Sequence, residues 1–148
     1  MPTYVVTAAA GRLSQLQKAA IAETITRIHN QVTAAPTYFA QVIFKAIAPD
    51  DWFMGGAPLG HESLFVHGHI RAGRSAVDRK KLVTQLASEL AKAASMETRS
   101  IWVYIAELPS RAMIEFGHVL PEPGDEPAWT DSLPAEDRSW MQKIGKRS

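Results

Sequence analysis

A strand–helix–strand pattern occurs twice in this chain, and that duplication limits the available folds more than any other feature. The first copy opens with Thr3-Tyr4-Val5-Val6-Thr7, whose β-branched and aromatic residues read as a strand. Gly11-Arg12-Leu13-Ser14 makes a turn, with Ser14 as helix N-cap. A helix is expected to about Val32, because Ile21, Ile25, Ile28 and Val32 recur at helical spacing. Phe39–Phe44 is the next strand, closed by Ala48-Pro49. The second copy runs Leu64–Ile70, turn Gly73-Arg74-Ser75, helix Ala76 to Ser95 with Leu82, Leu86 and Leu90 on one face, then strand Ser100–Ala106 closed by Leu108-Pro109. Gly11-Arg12 and Gly73-Arg74 fall at equivalent corners, which fixes an internal repeat of roughly 60 residues.

A helix-length crossover between two strands favours a parallel pair with right-handed connection. Two such units, about 3–49 and 63–109, predict an α+β fold of tandem β-α-β units, with a four-stranded sheet and two helices on one face. The whole chain, 1–148, is read as one domain. The opposite sheet face is left bare. Since Phe39–Phe44 and Ile101–Ile105 are apolar on both sides, that face is expected to pack against other copies. Asp50–Glu62, with Gly55-Gly56 and Pro58, reads as a loop. The last part, about 118–148, is broken by Pro121, Pro123, Pro127 and Pro134. It is expected to be an extended arm with one short helix after Pro134, anchored by Trp129 and Trp140 and wrapping a neighbouring subunit.

Composition narrows the chemistry. There is no cysteine, so disulfides, thiol nucleophiles and cysteine-based metal sites are excluded. The formal charge of +1, from 16 Lys+Arg against 15 Asp+Glu, gives no reason to expect nucleic acid or an anionic membrane as partner. No stretch approaches the ~18–20 apolar residues of a membrane span, and the N-terminal residues lack a signal-peptide pattern. Cytoplasmic localisation is the expectation. No glycine pattern matches a phosphate-binding fingerprint, and His67 with His69 on one strand face lack a third metal ligand, so neither a cofactor nor a metal is expected.

The candidate reactive group is Pro2. With Met1 removed, its nitrogen becomes a terminal secondary amine, and terminal amines titrate near ~7.7–8.0, within reach of acid or base duty at neutral pH. Arg71 and Arg74 flank Gly73 at a strand-to-helix corner, where paired guanidinium groups can grip one carboxylate. His29, late in the first helix, is placed to donate to a carboxylate or carbonyl, or to cap the helix dipole. Tyr104 shares a strand face with Trp102, and Glu115 stands among Met113, Ile114 and Phe116, where apolar surroundings would raise a carboxyl pKa.

Taken in order, these residues resemble the tautomerase superfamily, and within it the cis-3-chloroacrylic acid dehalogenase group. The similarity runs from Pro2 through Ile28-His29, Ala40-Gln41-Val42, Phe65-Val66-His67-Gly68, Arg71-x-x-Arg74-Ser75, Ile101-Trp102-Val103-Tyr104, Glu107-x-Pro109 and Glu115-x-Gly117 to Leu120-Pro121-x-Pro123-Gly124. The resemblance implies a β-α-β-β-α-β subunit, a homotrimer, and a cofactor-independent enzyme of small unsaturated or 2-oxo carboxylates. On its pattern Pro2 transfers a proton to or from carbon, Arg71 and Arg74 bind the carboxylate with His29, and Tyr104 and Glu115 position and activate water. Thr33–Phe39 departs from the dehalogenase pattern, which reads Thr-Gly-Thr-Gln-His-Phe-Leu there. The implied reactions are keto–enol tautomerisation, hydration or dehalogenation of 3-substituted acrylates. Two alternatives stand beside them: a cofactor-free oxygenase of arylenolpyruvates, and a non-catalytic oligomeric binding protein.

Overall fold

The computed structural model describes residues 2–145. Its elements, in chain order, are β1 (Thr3–Ala9), α1 (Gln15–Thr33), β2 (Gln41–Ile47), β3 (Phe53–Met54), β4 (Ala57–Pro58), β5 (Leu64–Arg71), α2 (Ala76–Ala94), β6 (Ile101–Leu108), β7 (Ile114–Glu115), β8 (His118–Val119), α3 (Glu126–Ser132) and α4 (Ala135–Lys143). The main sheet has the order β2-β1-β5-β6. Each strand–helix–strand unit closes on a parallel pair, β1 with β2 and β5 with β6. The units join through an antiparallel seam between β1 and β5, where Thr3 faces His69 and Ala8 faces Leu64.

Both long helices start as the sequence reads them. Ser14 accepts from the Gln17 amide while the Gln17 side chain returns to the Ser14 amide, a reciprocal capping box. Ser75 accepts from the Asp78 amide. Strand alternation then sends Tyr4 and Val6 of β1, Leu64, Val66 and Ile70 of β5 and Ile101 of β6 to one face, where they meet Ile21, Ile25, Ile28, Leu82, Leu86 and Leu90 of the helices in one fully buried core. The other face carries Val5, Ile43, Phe65, His67, His69, Trp102 and Tyr104, with Ile43, Trp102 and Tyr104 exposed.

Three expectations are corrected. Phe39 is not a strand residue: Pro36 sets the chain into a single 3₁₀ turn, Thr37–Phe39, and Phe39 is buried away from the sheet. The 50–62 segment is not plain loop, since Gly55 and Gly56, both at positive φ, turn β3 back on β4. The C-terminal part is not an extended arm. It forms two short helices and folds onto its own chain, with Leu120, Leu133 and Met141 burying Phe39 and Ala35 in a second apolar cluster. Trp129 seals that cluster and donates its indole N–H to the Val119 carbonyl. Residues beyond 145 lie outside the described part.

Candidate active site

The site gathers where β1 begins and β5 ends. Pro2 is buried at the head of the central strand β1, and its carbonyl accepts from the Gln41 amide of β2 at 3.0 Å. One step beyond the Thr3–His69 pair, Pro2 comes level with Ile70, next to Arg71. Met1, whose removal would free the Pro2 nitrogen, lies outside the described residues.

His29 enters from α1, 3% exposed, and its Nδ1 lies 2.8 Å from the Tyr4 hydroxyl. Burial, aided by the charge of Arg74, draws the imidazole pKa down to about 3, so the ring is neutral at physiological pH. Burial also pushes the Tyr4 phenol well above its usual range, so it keeps its proton. That proton is satisfied if it goes to Nδ1, which leaves Nε2 as the N–H and a donor toward a ligand. Tyr4 can hold this position because Gly68 sits opposite it across the β1–β5 seam: a Cβ there would lie 2.4 Å from the ring.

The two arginines are not equivalent. Arg71 is 2% exposed. Its Nη1 donates to the Pro121 carbonyl at 2.8 Å and its Nη2 pairs with Glu126 Oε1. Its buried Nε has no partner among the described residues. Arg74 is half-buried; its Nη1 donates to the Thr33 carbonyl at the end of α1, and its amide donates to Glu107. Glu107 also pairs with Arg79, which ties the start of α2 to the end of β6. Desolvation and the charge of Arg71 pull the Arg74 pKa below its usual value, and a guanidinium remains a cation through such a shift.

Beside this group opens a cleft of about 790 Å³, lined by Thr3, Gln41 and His69 of the sheet, Tyr38 and Phe39 of the 3₁₀ turn, Glu115 and Phe116 of the β7–β8 hairpin, and Trp140 of α4. The arginines lie outside its lining. A carboxylate in a cleft lined in part by aromatic rings, next to a proline, a neutral imidazole and two cations, is suited to proton transfer on a small anionic substrate.

Residues 1–132 match the family model described as "Putative oxalocrotonate tautomerase enzyme". The chain belongs to this tautomerase family. Among solved structures, N1, a member of the cis-3-chloroacrylic acid dehalogenase family, superposes with a TM-score of 0.92 at 32% identity, covering 96% of this chain and 99% of that one. Ps01740 superposes at a TM-score of 0.72 and 26% identity, over 76% of this chain and 99% of its own. The fused 4-OT Q0, a symmetric trimer, shares the fold at a TM-score of 0.69 and 20% identity, over 75% and 89% of the two chains. No curated protein matched the chain. The tautomerase superfamily and its dehalogenase-like group are thus shown, and the protein is an enzyme of that superfamily.

Of the candidate residues, Pro2, His29, Arg71 and Arg74 gather at one end of the sheet, and Glu115 lines the adjoining cleft. Tyr104 stands apart. It is 53% exposed on the bare sheet face, stacked edge-on against Phe65 and level with His67. Sequence reasoning missed Tyr4 and Glu126, and quoted Glu107 without giving it a role. Tyr4 read as an ordinary strand aromatic, and Gly68 comes opposite it only through the β1–β5 seam, so no local signal marked it. Glu126 belongs to a segment whose prolines suggested a separate arm. Among the described residues no group of three or more metal-binding side chains occurs, and no helix is long and apolar enough to cross a membrane.

Proposed function

We propose that this chain, once Met1 is removed, is a cofactor-independent acid/base enzyme that uses the Pro2 nitrogen on small unsaturated or 2-oxo carboxylates. The observation that carries this reading is the placement of Pro2 at the strand head beside a neutral histidine donor and two buried or half-buried arginines. A rigid strand mount fixes the nitrogen, and the guanidinium groups supply the anion site. The aromatic lining of the cleft favours a substrate with an aryl or other apolar substituent.

In tautomerisation of an arylenolpyruvate, unprotonated Pro2 takes the enol hydroxyl proton and returns it to C3, while the His29 Nε2–H stabilises the developing charge on the C2 oxygen. In hydration of a 3-haloacrylate, Glu115 takes a proton from water as its oxygen adds to C3. Protonated Pro2 gives a proton to C2, and the resulting halohydrin loses halide and a proton to give the aldehyde. Tyr104 stands exposed on the open face and lines no part of its own subunit's cleft, which fits presentation to a neighbouring copy in a trimer of the kind Q0 forms. Arg71 and Arg74 would lower the Pro2 pKa by like charge and Glu115 would raise it, so the balance among them selects the reaction.

The test is a mass spectrum of the native protein joined to a pH–rate profile on phenylenolpyruvate. Loss of Met1 and a rate that follows a single amine titration support the reading. A retained Met1 in fully active protein overturns it. Chloride release from cis-3-chloroacrylate separates dehalogenase from tautomerase, and an oxygen electrode in the same assay detects the oxygenase alternative.

A further inference from the structure

Arg71 already holds a carboxylate. Both of its terminal nitrogens are engaged by the C-terminal segment, Nη1 by the Pro121 carbonyl and Nη2 by Glu126, and the residue is almost wholly buried. A substrate carboxylate cannot reach this guanidinium while the segment stays in place. We propose that Glu126 is an internal carboxylate that occupies Arg71 in the resting enzyme and is exchanged for the carboxylate of the substrate, so that substrates are selected for their ability to displace it. This inference rests on the proposed function, since it assigns Arg71 a substrate carboxylate.

Two features make the exchange feasible. First, Glu126 uses the guanidinium poorly. One of its oxygens is on Nη2 and the other is on the Gly124 amide at 2.8 Å, so it does not span the Nε–Nη2 edge. The buried Nε–H is left without a partner among the described residues. A free carboxylate can take both nitrogens of that edge, a bidentate arrangement stronger than the bond it replaces. Second, the charge at Arg71 is paired before and after, so no uncompensated buried cation is created, which is the step that would otherwise be prohibitive. Glu126 has a way out: its side chain is 30% exposed, and α3, which it begins, contributes no fully buried residue.

Hydrogen exchange on the full-length native protein tests this without any substitution. The probe is 3-phenylpropanoate, a saturated carboxylate with no reactive centre. Its addition is expected to speed amide exchange across residues 122–132, opposite to the usual protection by a ligand. Unchanged or slower exchange there at any concentration overturns the proposal. Kinetics give a second reading. Glu126→Gln removes the competing charge, so KM for phenylenolpyruvate is expected to fall about fivefold while kcat stays within about twofold. Glu126→Asp, which keeps the charge but shortens the reach, is expected to fall between them and covers the case in which the Gln variant does not fold. A KM that rises in either variant shows Glu126 positioning Arg71 rather than competing for it, and overturns the inference. The two hypotheses fail separately. Arm release without turnover leaves the exchange standing and removes the proposed chemistry; turnover without arm release does the reverse.

Discussion

A histidine with its pKa drawn down to about 3 stays neutral at physiological pH, and the cost of burying it appears in the acid stability of the fold. In the unfolded chain that imidazole titrates near ~6.5, so between the two values the unfolded state binds a proton that the folded state refuses. The contribution is therefore fully present above about pH 6.5 and is lost as pH falls toward about 3, at up to ~1.4 kcal/mol per pH unit. Urea unfolding midpoints at pH 7, 6 and 5 should decline for the wild type. They should decline less steeply for His29→Gln, which has no imidazole to titrate; equal slopes would remove the assignment. The same residue depends on Gly68. A Cβ at that position would stand 2.4 Å from Tyr4 Cε1 and 2.8 Å from Ile105 Cδ1. Both neighbours are packed side chains, so Gly68→Ala should destabilise by ~1–3 kcal/mol. It should also lower kcat, because a displaced Tyr4 no longer fixes the His29 tautomer. Tyr4→Phe, which keeps the ring and drops the hydroxyl, should show the kcat effect with a smaller loss of stability.

At the scale of elements, the repeat was legible because its signals are local. Helical spacing of Ile21, Ile25 and Ile28, caps at Ser14 and Ser75, and glycines at equivalent corners all act within a few residues, and the structure realises each of them. The antiparallel seam between the units was not legible, since strand alternation is the same whichever strands meet. The C-terminal segment was misread for a related reason. Its prolines do interrupt regular structure, yet Pro127 and Pro134 sit at helix starts, where a missing N–H is harmless. What holds the segment is non-local: Arg71 on Pro121 and Glu126, Ser110 on Glu122, and Gly73 against Pro123. Gly73 has φ +107°, and a Cβ there would meet Pro123 Cγ at 2.8 Å. Gly73→Ala combines backbone strain with a steric push on the segment, at a cost of ~1–3 kcal/mol. It should lower the melting temperature and raise hydrogen exchange across residues 120–132 more than across β1 or β5. Uniform exchange changes would mean the segment is not held through this corner. The site was legible in the same uneven way. Arg71 and Arg74 could be named from a strand-to-helix corner, Pro2 as a prospective terminal amine and His29 from the end of the first helix, whereas Glu126 reaches Arg71 only through the fold-back.

At the scale of the whole molecule, the open face of the sheet decides how the subunit behaves. The chain exposes 8665 Å², well above the roughly 7,500 Å² expected of a compact monomer of its mass. The apolar residues Ile43 and Trp102, with the aromatic Tyr104, stand exposed on that face. A twisted sheet with one bare apolar face is most simply covered by copies of itself around a closed symmetry axis. The expected assembly has three times the chain mass of 16.3 kDa by light scattering. Trp102→Glu should break it, because burying a carboxylate in an apolar contact costs more than the contact returns. If Tyr104 serves the cleft of a neighbouring subunit, hydratase activity should fall in step with the trimer fraction as Trp102→Glu protein is diluted, even though Pro2, Arg74 and Glu115 of each chain are untouched. Full hydratase activity in a monomeric Trp102→Glu preparation would show that each subunit completes its own site, and would place Tyr104 outside the chemistry.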